Sequence, residues 1–362
     1  MYAGNRFWNI AMSLLRPILD LAAGSFRSGN SRRPEKNPTK PSILVIRQHR
    51  LDDMICTLPL LHALRNHFPT AHLAVACDMA SAPIARAAAS VDEVIMLSPG
   101  WNRWVTLPRH AERLQGHDWV LAAKGGFDRR LALLTRLTNG AVRIGFESSP
   151  AAGGDYFTHP VALPLQPHAE HQIETLLRLV APLGIPPPVF DPAMLRLTLP
   201  GMVQDWAGHV FAQPPFAEAE FFALINLSCD RPVKFARADY AMLIRRLVEE
   251  TSLATGIVGV RQDWAEAQAL ANEFPADRVA AIATGDVLDW AALLERCSIF
   301  ITPEGGAAHL SSATQTPTIV LWAGHYGKWR PRGDRHVLVE ARTGEPVIPV
   351  ERIWRALPAS LR

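Results

Sequence analysis

From residue 41 onward the chain alternates two hydrophobic patterns. Short unbroken apolar runs, rich in β-branched residues, read as strands covered on both faces. Segments whose apolar positions recur every three or four residues read as helices packed on one side. In the first half the pattern predicts strands at 43–47, 73–77, 93–97, 119–122 and 142–145, with helices at 53–67, 80–89, 103–115, 128–138 and 168–183. Residues 184–220 hold the run Pro186-Pro187-Pro188 and then Pro192, Pro200, Pro214 and Pro215, which suits a connection between halves. A second alternating set follows: strands at 222–226, 254–260, 279–282, 298–301, 318–322 and 337–340, and helices at 238–250, 263–274, 287–296, 307–314 and 350–357. Strands alternating with helices imply parallel sheets covered on both sides. Two such doubly wound α/β halves would face a ligand cleft at the carboxyl ends of their strands.

The most informative turn lies between the strands at 298–301 and 318–322. Thr302 and Pro303 break the first strand, and Glu304-Gly305-Gly306 leads into a helix carrying Ala307 and His309. Glycines let backbone approach a ligand, and a helix start offers free N–H groups to an anion. Glu304 could accept hydrogen bonds from sugar hydroxyls. The plain alternative is an ordinary strand-to-helix turn with a capping Glu and a buried His. At the first strand's carboxyl end stand Asp52 and Asp53. One carboxylate suffices to cap a helix; a second could act as general base, or bind a metal, although no companion ligands stand at a recognisable spacing. His168 and His171, three apart at a helix start, read as surface residues. No Gly-x-x-x-x-Gly-Lys-Ser/Thr, Gly-x-Gly-x-x-Gly, Gly-x-Ser-x-Gly or His-Glu-x-x-His occurs, so P-loop, dinucleotide-dehydrogenase, hydrolase and zinc-protease readings lose their support.

Composition changes the picture in one place. The 362 residues are 48% hydrophobic and 20% charged, with a net charge of +3. Residues 1–40 carry seven basic side chains against Asp20 and Glu35, which leaves the remainder slightly acidic and without a nucleic-acid footprint. Residues 1–24 are apolar in patches, but Arg6 and Arg16 bracket an uncharged run far shorter than the roughly 20 residues a bilayer span needs. An amphipathic helix lying on a membrane, followed by a basic linker over 25–40, fits this leader; a helix packed on the body or a disordered leader are the alternatives. Cys56, Cys77, Cys229 and Cys297 show no Cys-x-x-Cys spacing and read as reduced and structural.

Asp52-Asp53 followed by Thr57-Leu58-Pro59, then Phe68-Pro69, Ala71-His72 and Val91–Val94, form one part of a larger resemblance. His168–Glu174, Leu183-Gly184, Lys234, Glu304–His309, Thr316-Pro317-Thr318 and Trp329-Arg330-Pro331 form the other. Together, over about residues 41–345, they resemble glycosyltransferase family 9, the heptosyltransferases. The resemblance implies the GT-B fold: a leader and linker (1–40), an N-terminal Rossmann-like acceptor domain (41–185), a connection (186–220) and a C-terminal donor domain (221–345). A last helix (346–362) would pack back on the N-terminal domain.

It further implies an inverting transfer, without metal or resident cofactor, of a sugar from a nucleotide donor, usually ADP-heptose, to lipopolysaccharide core or a related envelope glycan. Asp53 would be the catalytic base. Lys234 would meet the diphosphate with Arg231 beside it, and Asp263 would meet the ribose or merely cap a helix. Glu304 would bind the donor sugar, Gly305, Gly306 and Ala307 would hold phosphate, and His309 would support that loop or touch phosphate. Arg47, His49 and Arg50 could meet acidic groups of the acceptor or merely sit in solvent. The enzyme would be cytoplasmic and peripheral at the inner face of the inner membrane, with a lipid-linked acceptor. Asp52 for Gly, Glu304 for Asp, Gly305 for Thr or Ser, and the segment 228–234 depart from the family pattern. A relative that binds nucleotide sugar or glycan without transfer, or a GT-B sugar epimerase, are the competing readings.

Overall fold

The computed structural model describes residues 35–36, 38–48, 50–98, 106–147, 156–165, 169–228, 235–322, 327–342, 345 and 347–362. The first domain is one parallel sheet of β1 (Ser42–Ile46), β2 (His72–Asp78), β3 (Glu93–Leu97), β4 (Trp119–Ala122), β5 (Val142–Phe146) and β6 (His159–Val161), in the order β3-β2-β1-β4-β5-β6. The second repeats that order with β7 (Phe222–Asn226), β8 (Ala254–Val258), β9 (Val279–Ile282), β10 (Ile299–Pro303), β11 (Thr318–Trp322) and β12 (His336–Glu340), as β12-β11-β10-β7-β8-β9. The central strands are continuous apolar runs because helices cover both faces; β4, β8, β10 and β11 are buried along their whole length.

Helices of the first domain are α1 (Leu51–Ile55), α2 (Leu58–His67), α3 (Ala82–Ala87), α4 (Leu107–Arg113), α5 (Arg129–Leu137) and α6 (Gln172–Leu177). The single helix expected over 53–67 is two. Pro59 has no N–H to give the Ile55 carbonyl, and the Thr57 hydroxyl instead donates to the Asp53 carbonyl at 2.8 Å, turning the chain between α1 and α2. Thr302 and Pro303, expected to end β10, lie inside it, Pro303 pairing in register with Leu321. A proline at the last position of a strand removes a donor only where the ladder ends.

The connection is more ordered than its prolines suggest. It contains α7 (Gly201–Phe211), whose Ala207 is its one fully buried side chain and so leaves little periodic signal. α8 (Arg237–Glu250), α9 (Trp264–Ala271), α10 (Val287–Arg296), α11 (Gly306–Ala313) and α12 (Val350–Ala356) complete the second domain. The expected return of the last helix to the first domain does not occur. Ile353 and Trp354 of α12 share a core with Leu243 and Leu247 of α8, and the Arg246 guanidinium lies 4.2 Å over the Trp354 ring. The short link after β12 returns α12 to the same sheet.

One apolar core runs from Ile43, Leu60 and Leu64 in the first domain to Leu224, Phe300 and Leu310 in the second. Polar ties reinforce it: His171 Nε2 donates to the Arg330 carbonyl at 2.7 Å and Arg332 pairs with Glu174 at 2.7 Å. No helix among the described residues is long and apolar enough to cross a membrane.

Candidate active site

In a sheet of order 3-2-1-4-5-6, neighbouring strands send their following segments to opposite faces between the first and fourth strands, leaving a crevice there. In the second domain that point lies between β7 and β10. A cleft of about 990 Å³ opens at it. Arg50, Leu51, Asp52 and Ala80 close the cleft from the first domain. The turns after β7, β8, β9 and β10 form the rest, contributing Asn226 and Ser228, Gly259–Gln262, Ala283–Asp286 and Pro303–Ala307.

Each turn is fixed by its own polar residues. After β7, Asn226 donates to Thr302 Oγ1 at 3.0 Å and to the Ser228 carbonyl at 3.0 Å, while Ser228 N–H donates back to Asn226 at 2.8 Å. Ser228 Oγ donates to the Asp263 carboxylate and accepts from Val260 N–H at 2.7 Å, tying the turns after β7 and β8 together. Asp263 makes no capping bond to α9 and stands behind the wall, so its carboxylate braces the turn rather than ending the helix. After β9, Trp290 Nε1 donates to Thr284 Oγ1 at 2.6 Å; with Trp264 and Val260 it gives this end of the cleft a broad apolar wall.

After β10 the backbone turns at Gly305, φ 146° and ψ −163°, a region open to glycine alone. The turn aims the α11 N-terminus into the cleft. Glu304, 4% exposed, lines the cleft at the base of this turn. Gly306 is packed against the first domain: a Cβ there would lie 3.1 Å from Leu51 Cδ2. His309 is buried beneath the loop, its Nδ1 3.8 Å from Sγ of Cys56, the residue that ends α1. Burial pushes its pKa down to about 4, so the ring is neutral near pH 7.

The two carboxylates of the first turn diverge, as neighbours on a helix must. Asp52 is 7% exposed and lines the cleft. Asp53 pairs with Arg47 and accepts weakly from Arg50 N–H at 3.4 Å. Arg47 does not serve the acceptor face. It is buried, with Nε donating to the Asp53 carbonyl at 3.0 Å and Nη1 to the Ala123 carbonyl. Arg50 does reach the cleft, and its Nε lies 3.2 Å from Asp52. Lys328 is a further cation of the second domain, half-buried in the segment after β11. Partial burial lowers its pKa, and the charge of Asp53 opposes that shift. His171, expected at the surface, is buried as the cap of α6, accepting from Ile173 N–H at 3.2 Å. Neither role has a local sequence signal, because the partners arrive from distant elements. His49, Arg231, Lys234, His168 and the leader over 1–34 lie outside the described residues. Among the described residues no group of three His, Cys, Asp or Glu gathers as a metal site.

The model of glycosyltransferase family 9 (heptosyltransferase) matches residues 108–347, two thirds of the chain. The chain belongs to glycosyltransferase family 9. It is a glycosyltransferase, and its two-domain architecture is the GT-B fold. Three solved structures have the same fold. A family 9 glycosyltransferase from Veillonella parvula is 17% identical, with TM-score 0.74 over 90% of this chain and 98% of that one. Escherichia coli ADP-heptose lipopolysaccharide heptosyltransferase II is 18% identical, with TM-score 0.68 over 87% and 97%. Escherichia coli heptosyltransferase WaaC, solved with ADP-2-deoxy-2-fluoro heptose, is 20% identical, with TM-score 0.69 over 87% and 98%. No curated protein matches the chain. For a family 9 glycosyltransferase, the cleft at the switch point of the second sheet is the candidate donor site.

Proposed function

We propose that the protein is an inverting, metal-independent glycosyltransferase that moves a sugar, heptose from ADP-heptose, onto lipopolysaccharide core or a related envelope glycan. The observation that carries this reading is the turn after β10. One segment puts a buried carboxylate, Glu304, and a helix N-terminus in the same cleft. A nucleotide sugar has both partners for that pair: hydroxyls that donate and a diphosphate that accepts. The apolar end with Trp264 and Trp290 suits the base.

In the transfer, an acceptor hydroxyl oxygen attacks the anomeric carbon while the bond from that carbon to the diphosphate oxygen breaks. Asp53 takes the hydroxyl proton. Lys234, Arg231 and the N–H groups at Gly306 and Ala307 meet the charge gathering on the departing diphosphate. Arg50, which lines the cleft, meets acidic groups of the acceptor. Asp263 holds the ribose-side turn through Ser228. The leader over 1–24 rests on the inner face of the inner membrane, beside a lipid-linked acceptor.

A second reading, binding without transfer, draws support from one observation: Arg47 already occupies the Asp53 carboxylate. Titration of ADP, UDP, GDP and CMP without metal, beside Lys234→Ala and Asp53→Ala, tests the donor site. The proposal expects one diphosphate to bind, Lys234→Ala to weaken it and Asp53→Ala to leave it alone. Transfer from the matching sugar donor, abolished by Asp53→Ala, separates the enzyme from a binding relative. No binding of any nucleotide overturns the proposal.

A further inference from the structure

Asp52 is the least expected group in the cleft. It is a carboxylate 7% exposed, brought from the first domain into the wall of a cavity formed mostly by the second. Oδ1 has its partners, Arg50 Nε at 3.2 Å and Asp53 N–H at 3.1 Å. No hydrogen bond joins Oδ2 to another described residue, and Asp52 lines the cavity, so this oxygen can accept from a ligand there. Asp52 shares the cavity wall with Glu304, its charge acts on His309 beneath the turn after β10, and its neighbour Leu51 lies against Gly306 of that turn.

We propose that Asp52 reads the sugar of the donor, resting on the donor-site assignment above. Glu304 from one domain and Asp52 from the other present two carboxylates to the same glycosyl group. Both accept; neither donates. The group they fit is therefore a neutral sugar or an aminosugar, rich in O–H or N–H donors. A sugar acid would bring a third negative charge between them and is excluded. The diphosphate must lie away from Asp52, toward the α11 N-terminus, for the same reason. Asp52 is thus a specificity-determining residue: it binds the sugar and leaves the nucleotide to the second domain.

The test is calorimetric titration of ADP and of ADP-heptose into the wild type and Asp52→Asn. Asparagine keeps an oxygen for the Asp53 N–H, so the helix start retains its bond. One charged hydrogen bond to a sugar hydroxyl corresponds to about ten- to hundredfold in affinity. The expected result is that loss for ADP-heptose with ADP affinity unchanged, which also shows the variant is folded. Equal losses for both ligands, or none for either, overturn the proposal while leaving the donor site intact. A wild type that binds ADP-heptose no tighter than ADP overturns it too. A wild type that binds neither overturns the donor-site assignment itself.

Discussion

Gly305→Ala isolates backbone conformation from every other effect. Gly305 has φ 146° and ψ −163°, and a Cβ built there meets no atom within 4 Å. Nothing is crowded, so the whole cost comes from holding an L-residue where only glycine is at ease. That cost is on the order of 1–3 kcal/mol. Gly306→Ala is the matched control: its φ is not in the left-handed region, and its Cβ would meet the end of Leu51 at 3.1 Å. The leucine tip can turn aside, but Leu51 Cβ, 3.3 Å away, moves only with its backbone, so the control reports crowding against the first domain, about 1–3 kcal/mol, with no left-handed strain.

Chemical denaturation reads the difference as a lower midpoint at constant slope for Gly305→Ala. The turn has an alternative to bearing the strain: it can relax to an ordinary conformation. Glu304 and the α11 N–H groups would then swing from the cleft, and stability would recover as donor affinity falls, roughly tenfold for each 1.4 kcal/mol of misplacement. Stability and affinity together must therefore account for the cost. A variant that loses less than about 0.5 kcal/mol of stability and binds donor as wild type does would refute the argument.

Two further outcomes follow from buried groups. His309 and His336 are held neutral by burial, each with its pKa lowered to about 4. An unfolded histidine takes its proton near pH 6.5, so stability should be full above that pH and drain as pH falls toward 4. His309 alone would account for about 3 kcal/mol. A denaturation midpoint flat from pH 7 to pH 4.5 would contradict this. Arg47→Met leaves the Asp53 carboxylate and the Ala123 carbonyl without their shared donor, and breaking so buried a pair costs about 3–5 kcal/mol. Adding Asp53→Asn should restore part of that loss; strict additivity in the double-variant cycle would show that the two do not interact.

Much of the fold is local in origin. The strands Glu93–Leu97, Trp119–Ala122, Phe222–Asn226, Val279–Ile282 and Thr318–Trp322, and the helix Val287–Arg296, match the hydrophobic pattern residue for residue. A run of apolar side chains admits few alternatives when both faces must be covered. The elements that escaped notice have weak local signals. β6 is three residues long at a sheet edge and contains Pro160, and α7 has a single fully buried side chain. The Glu304-Gly305-Gly306 turn is legible in sequence as part of the cleft wall because glycine, carboxylate and helix start are adjacent in the chain. The pairing of Arg47 with Asp53 was not, since a buried arginine and a surface arginine look alike in sequence.

The sequence by itself determined the alternation, hence two parallel sheets, and placed Asp52, Asp53 and Glu304 at strand ends where ligands bind. It could not say which way each side chain faces. Tertiary structure decided that Asp52 looks into the cleft while Asp53 turns to Arg47, that His171 bridges the domains through Arg330, and that α12 stays with the second sheet. Periodicity reports which residues are covered. Only the approach of elements distant in sequence reports what covers them, and the chemistry of this cleft lies in those approaches.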